Sequence, residues 1–297
     1  MIKKQVKKQD KILLFAGNGD LPRIVAEELK YKKSNFEIFC FIEDDNSNTS
    51  TKKDKNHTNN NFEYFTSSGY KPQKIYLSNI ADIIRKVKQS KAKKVVCCGG
   101  IRFNGLKSIN WFNLKIIKYG LKVLFSKTKG DNFLLNIAEK IIQDCGCELV
   151  GVQDVVPNLI CNKKDAINVD LCNKKNNEDI KLGLKILQDI SKYDIGQAII
   201  IQDGRVLAME GVEGTNELLD RSKNYKTKSK VKPVLVKPAK IGQNQKLDLP
   251  TIGIDTFEML AKNGFCGIAV KAGSTILLDR ELVRQCCEKY NVFMRVI

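Results

Sequence analysis

Residues 11–33, KILLFAGNGDLPRIVAEELKYKK, decide the fold class. The stretch opens with an apolar run that reads as a buried strand, breaks at Gly17-Asn18-Gly19, and continues as an amphipathic helix. Pro22 stands in the first helical turn, where its missing N–H leaves nothing unsatisfied. A second apolar run, FEIFCFIEDD at 36–45, reads as another strand, and residues from about 44 to 74 as a long polar loop. A helix over roughly 79–89 and the strand KKVVCCGG at 93–100 follow. Strands joined by helix-length connections predict a parallel α/β sheet. GLKSINWFNLKIIKYGLKVLF, 105–125, and GDNFLLNIAEKIIQDCG, 130–146, are further helices, the second closed by Gly146, and CELVGVQDVV, 147–156, reads as a last strand.

The second half starts with a polar connection from about 158 to 178, followed by the helix EDIKLGLKILQDISKYD at 178–194. GQAIIIQDGRVLAMEG, 196–211, is a hairpin around Asp203-Gly204, a dipeptide suited to a type I′ turn because both central residues take positive φ. PVLVKPAK, a helix over 256–263, CGIAVKAGSTILLD and RELVRQCCEKY before a final strand make the remainder mixed α/β. The expected fold is therefore α/β: a Rossmann-like N-terminal domain with a parallel sheet over 1–155, then a distinct mixed α/β domain over 156–297. At 297 residues, two domains of about 100 to 200 residues are the expectation.

The net charge of +18 favours polyanionic partners: nucleic acid, an anionic membrane surface or a phosphorylated ligand. Lysine and asparagine are abundant throughout, connective stretches included, so the charge is also read as compositional drift. No apolar run approaches the about 20 residues needed to cross a bilayer, and no signal peptide is read at the N-terminus. None of the ten cysteines is spaced C-x-x-C, and most lie in apolar contexts where a free thiol acts as a small core residue, which fits a reducing cytoplasm. The single histidine, His57, lies in a polar stretch. One solvated histidine excludes Ser-His-Asp and Cys-His triads and histidine-ligated metals. Carboxylates, lysines, arginines, backbone amides and oxygen-binding metals remain, parts that suit phosphate chemistry with magnesium.

Gly17-Asn18-Gly19 sets amides at a helix N-terminus, where the dipole favours an anion. A dinucleotide fingerprint needs a third glycine where Pro22 stands, although Glu43 and Asp44 fall where a ribose-binding acid would. Lys115, Lys118 and Lys122 make a basic stripe beside Trp111 on an otherwise apolar helix, which suits either core packing or a lipid-facing surface. Asp131, Asn132, Thr215, Asn216 and Asp194 are all explained as helix caps or turn residues. Asp248, in QKLDLPTIGIDT (245–256), admits two readings: an Asx-turn into Pro250, or a carboxylate held by rigid flanking segments within reach of a metal-bound phosphate.

The order AGNGDLP, KGDNFLLNIAEKI, YDIGQAIIIQDGRVLAMEGVEGTNELL, LVKP, DLPTIG and NGFCGIAVKAG…LLDRE resembles the LpxI-type UDP-2,3-diacylglucosamine pyrophosphatases of lipid A synthesis along essentially the whole chain. The resemblance implies a Mg2+-dependent hydrolase, peripheral at the cytoplasmic face of the inner membrane, that cleaves an acylated UDP-sugar to UMP and 2,3-diacylglucosamine 1-phosphate, with lipid held between its two domains. It implies that Asp248 is the essential aspartate, as catalyst or metal ligand. Glu213 and Asp255 are the second-choice metal groups, and Lys237 and Lys240 neutralise phosphate charge. Gly17, Asn18 and Gly19 hold a phosphate or the uridine end, and Gln197, Thr215 and Thr251 complete the candidate substrate-binding set. The chain departs from the family pattern at Asn132, Asn216 and Asn244, where acids are usual, and at Arg102, displaced by one position. Homodimerisation is left open.

An NAD(P)-dependent oxidoreductase is the alternative; it accounts for the first domain but not for DLPTIG. A nucleic-acid-binding module accounts for the charge, but the clustered basic-aromatic faces it requires are missing from the sequence, so no nucleic-acid partner is expected.

Overall fold

The computed structural model describes residues 10–42, 61–101, 131–193, 195–240 and 245–297. The chain divides into two compact units, Met1–Val156 and Pro157–Ile297.

In the first unit, β1 (Ile12–Ala16), β2 (Phe36–Ile42), β3 (Gln73–Tyr76), β4 (Lys94–Cys98) and β5 (Glu148–Val150) form one sheet in the order β3-β2-β1-β4-β5, parallel throughout. Leu13, Leu14, Val95 and Val96 are fully buried, as expected of central strands whose two faces are both covered. The connecting helices are α1 (Leu21–Tyr31), α2 (Asn61–Ser67), α3 (Ile80–Ser90) and α4 (Asp131–Asp144), with the short α5 (Val152–Val155) after β5. Pro22 sits at the start of α1, as its missing N–H demands. Two readings need correction. The polar loop expected over 44–74 contains α2 and the edge strand β3, and only the first part of the last expected strand is extended, since Val152–Val155 turn into helix. Asn61 explains the position of α2: its buried amide donates to the carbonyls of Gly17 (2.6 Å) and Gly19 (2.9 Å).

In the second unit, three 3-10 turns lead into α6 (Lys174–Ile190), which begins four residues earlier than expected because the Asn173 side chain caps it. The strands β6 (Ile199–Gln202), β7 (Arg205–Met209), β8 (Val234–Lys237), β10 (Gly267–Val270) and β12 (Phe293–Val296) form a sheet ordered β12-β10-β8-β6-β7. β8, β10 and β12 are parallel, while β6 runs antiparallel to both β8 and β7. Asp203 (φ 49°) and Gly204 (φ 76°) make the left-handed turn between β6 and β7. A small parallel pair, β9 (Thr251–Ile252) with β11 (Ile276–Leu277), stands apart.

Side chains alternate across the larger sheet. Ile199, Ile201, Val234, Val236, Ala269 and Phe293 pack with Ile180 and Leu187 of α6. Ala198, Ile200, Leu235, Ile268 and Met294 pack on the other side with α7 (Thr215–Ser222), α8 (Ile254–Lys262) and α9 (Arg280–Tyr290). Both faces are covered, so Ala198 and the three isoleucines of β6 read as an unbroken apolar run rather than as an alternating pattern. Each of its fully buried isoleucines contributes about 1.5–3 kcal/mol.

Candidate functional site

Strand directions in the second unit bring a set of polar residues to one edge of its sheet. β7, β8, β10 and β12 all point the same way, so the residues just beyond their C-terminal ends share that edge with the residues entering β6. In open α/β sheets, ligands bind outside the carboxyl ends of the strands. Glu210 follows β7, Lys237 ends β8, and Gln197 leads into β6. Thr215 is the first residue of α7, after the short loop that follows Glu210.

These residues form one hydrogen-bonded unit. Lys237, only 7% exposed, donates from Nζ to Thr215 Oγ1. Thr215 Oγ1 lies 2.6 Å from Glu210 Oε1 and donates to it. Glu210 Oε2 accepts the Gln197 backbone N–H at 2.9 Å, and the Glu210 N–H bonds the Ala198 carbonyl at 2.8 Å. The polarity is unique: an ammonium only donates, a carboxylate only accepts, and the hydroxyl does one of each. Gly196 is required here, because a Cβ would come within 2.2 Å of the Glu210 carbonyl oxygen. Burial pulls the Lys237 pKa below the ordinary 10.5, against the opposing attraction of the Glu210 and Asp248 carboxylates. Asp248 is thus electrostatically coupled to Lys237. It is half-buried, on the segment whose Pro250 carbonyl accepts Ile276 N–H at 2.8 Å and so anchors the chain into β9.

A cleft of about 280 Å³ opens nearby, with Leu184 and Leu187 of α6, Ile195, Pro238 and Ile297 among its apolar walls and Gln197, Lys240 and Lys271 among its polar ones. Gln197 and the Lys237–Lys240 segment connect it to the hydrogen-bonded unit. The Gln197 Oε1 atom is buried without a hydrogen-bond partner among the described residues.

Of the residues named from sequence, the structure therefore brings together Lys237 and Thr215, with Gln197 joined through Glu210 and Lys240 on the adjoining cleft, and the Asp248 charge acts on Lys237. Others lie differently. The Glu213 carboxylate is held by Arg221 (2.8 Å) and the Gly211 N–H (3.1 Å). The Arg221 hydrogen bond first, then its own and the Gly211 backbone amides, lower its pKa. Asp255 is exposed in the first turn of α8, and Thr251 Oγ1 bonds the Leu249 carbonyl at 3.3 Å. No three His, Cys, Asp or Glu side chains converge as a metal cluster among the described residues, so Asp248, Glu213 and Asp255 do not gather into a preformed ligand set.

The Gly17-Asn18-Gly19 turn lies in the first unit, at the point where the strand order reverses between β1 and β4. Its amides have internal partners: Gly17 N–H bonds Cys98 O (2.8 Å), and Asn18 pairs both ways with Gly100 (2.7 and 3.0 Å). A Cβ on Gly17 would meet Gly100 O at 2.6 Å. The glycine at position 17 thus admits the β4 exit, and the Gly17 and Asn18 amides are not presented to a phosphate.

Two residues take roles that their sequence context hides. Thr215 reads as a cap, but the cap position belongs to Gly214 (φ 80°), and the hydroxyl bridges Lys237 and Glu210 instead. Glu210 does not stand out from the sequence as a site residue. Its one signal is position, an acid directly after a strand and before a glycine. Glu43, Asp44, His57, Arg102, the Lys115–Lys118–Lys122 stripe with Trp111, Asp194, Gln243 and Asn244 lie outside the described residues, as do the side chains of Asp131 and Asn132.

Comparison with known proteins bears on both units. The family model for the LpxI N-terminal domain matches residues 11–159, and that for the LpxI C-terminal domain matches residues 164–295. A relative from Caulobacter vibrioides, named UDP-2,3-diacylglucosamine pyrophosphatase LpxI, is 31% identical over 184 residues, which take in 59% of this chain and 65% of that protein. The chain therefore spans just under two thirds of that relative's length. Among solved structures, isoflavone reductase aligns over 97% of this chain and 78% of its own at 10% identity, with a TM-score of 0.28, too low to argue from. No described helix is long and apolar enough to cross a membrane. With family models matching both of its halves, the chain belongs to the LpxI family.

Proposed function

We propose that this protein hydrolyses the diphosphate bond of UDP-2,3-diacylglucosamine, releasing UMP and 2,3-diacylglucosamine 1-phosphate in lipid A synthesis, with Mg2+ as cofactor. The observation that carries this reading is the buried Lys237 ammonium at the carboxyl edge of the sheet, held by Thr215 and acted on by the Asp248 charge, in a chain of the LpxI family.

A diphosphate resists attack because its oxygens repel a nucleophile and its leaving group carries charge. Lys237 answers the second difficulty. Among the described residues its ammonium has one hydrogen-bond acceptor, Thr215 Oγ1, and an ammonium carries three donors; those remaining serve a phosphate oxygen. Burial strengthens the interaction, because charge acts more strongly where water is excluded. Asp248 answers the first, as the group that takes the proton of the attacking water.

The residues fit magnesium only in a particular way. Both Glu210 oxygens are engaged by protein donors, so at this edge the protein's coordination falls to Asp248. Magnesium is commonly held by one or two carboxylates plus substrate phosphates and water, and such a site is complete only with the diphosphate in place. When bound, the ion supplies charge neutralisation and a more acidic water. Glu213 and Asp255 remain outer candidates, each requiring movement. The apolar walls of the cleft, with Lys240 and Lys271 beside them, suit an acylated phosphate. The net charge of +18 suits peripheral attachment to an anionic membrane surface on the cytoplasmic side.

The test is UMP release from purified protein with magnesium, with EDTA, and in Asp248→Asn. Folded wild-type protein without UMP release refutes the activity. An oxidoreductase reading is less well supported, because the Gly17 and Asn18 amides that it needs for a pyrophosphate are paired with Cys98 and Gly100.

A further inference from the structure

Glu210 has no role in the reaction as drawn, yet it is the most firmly held acid at the site. It is 7% exposed, and each carboxylate oxygen has a protein donor, the Gln197 N–H on one and the Thr215 hydroxyl on the other. Burying a carboxylate is costly unless it is paired and hydrogen-bonded, and a surface glutamate could have capped the following loop at less cost. The opposite charge is Lys237, reached through one hydroxyl.

A threonine hydroxyl rotates and has a single proton. Glu210 fixes that proton, because a carboxylate can only accept. The hydroxyl lone pair is thereby turned toward Lys237, and the ammonium is held by one of its donors while the others keep a set direction. We infer that Glu210 and Thr215 are a positioning pair that aims the Lys237 ammonium at the phosphate of the nucleotide-sugar substrate, an inference that rests on Lys237 and Asp248 being the phosphate-handling groups. Among the described residues, the charged groups acting on Lys237 are Glu210, beyond β7, and Asp248, before β9; α7 contributes only the neutral Thr215.

Changing Glu210 to glutamine reverses the logic of the chain. The Gln197 N–H still demands an acceptor, so the amide oxygen turns to it and the NH₂ group faces Thr215. The hydroxyl, which has two lone pairs, then accepts from the amide as well as from Lys237, and its own proton loses the carboxylate that fixed its direction. The opposite amide orientation sets NH₂ against the Gln197 N–H instead. Either arrangement loosens the chain that holds the lysine, and a displacement of about 1 Å from productive geometry costs on the order of 100-fold in rate.

The experiment measures kcat and KM for UMP release from UDP-2,3-diacylglucosamine with magnesium in E210Q, T215V, T215S and K237M, well below each protein's thermal midpoint. The positioning role predicts that E210Q and T215V lose about 10- to 100-fold in kcat, with KM changed far less, because the lysine acts on charge that develops in the transition state. T215S, which keeps the hydroxyl, stays within about threefold of wild type. A packing role predicts the reverse order, since valine preserves the shape of threonine and serine loses its methyl. Wild-type kcat in T215V, or equal damage in T215S and T215V, overturns the inference. Should E210Q fail to fold, the Thr215 pair decides alone. K237M separates the two levels: if it is inactive while T215V is fully active, only the positioning role fails, and if it works at the wild-type rate, the reading of the site itself fails.

Discussion

Asp248 precedes Leu249-Pro250, the context in which an aspartate ordinarily closes a turn, and its composition alone cannot choose between turn and chemistry. The Asp248 charge acts on the buried Lys237 ammonium, which supports the reading proposed above, since perturbed charge pairs cluster at functional sites. Lys237 was named from sequence as a candidate phosphate neutraliser, but its burial was not legible, since nothing in a lysine at a strand end separates a snorkelling side chain from an enclosed one. Glu210 was illegible for a related reason: its role depends on Thr215 and Gln197, which only the hairpin geometry brings to it. The lowered pKa of Lys237 has a defined sign. Burial favours loss of its proton, so the ammonium disappears as pH rises through a value below the ordinary 10.5. The expected outcome is a pH profile of kcat/KM whose alkaline limb falls below pH 10.5; activity that stays level through that range would show that the charge on Lys237 is not needed.

At the scale of elements, strands were most legible where burial on both faces makes a continuous apolar run, as in β1, β4 and β6. β3 escaped because only Ile75 of its four residues is buried, too short a pattern to stand out of polar surroundings. α2 escaped because it is seven residues long with Asn61 and Phe65 alone buried. Asn61 nevertheless holds the first turn of the N-terminal unit through Gly17 and Gly19. Asn61→Ala removes the two hydrogen bonds it donates and the one it accepts from Arg23 Nε (2.6 Å), and leaves a buried carbonyl without that partner, a loss of about 2–3 kcal/mol. Denaturant unfolding of the two proteins checks this, and equal midpoints with equal slopes would contradict it. The Asp203-Gly204 turn was readable outright, because two successive positive φ values admit few residue pairs.

At the scale of the whole molecule, the single histidine limits histidine chemistry to one imidazole, and the expectation that His57 takes no part falls on a residue outside the described ones. The ten cysteines are all free thiols, and seven of them are buried. Burial pushes Cys40, Cys97, Cys161, Cys266 and Cys287 from 9.0 up to about 12. Because these folded values are raised, their contribution to stability is complete below pH 9.0 and is lost as pH climbs toward 12. The native protein is therefore expected to react slowly with a thiol reagent at pH 8, to yield ten thiols once unfolded, and to show a urea midpoint that falls above pH 9.0. Rapid native labelling of all these positions would contradict the buried placement.

The central claim, that Asp248 acts on a phosphate held by Lys237, is tested most directly by a single-turnover measurement of UMP release from UDP-2,3-diacylglucosamine with magnesium, comparing wild type with Asp248→Asn at matched folded concentration. The account predicts release by the wild type and a loss of at least about 100-fold in the variant. An Asp248→Asn protein that releases UMP at the wild-type rate would contradict it.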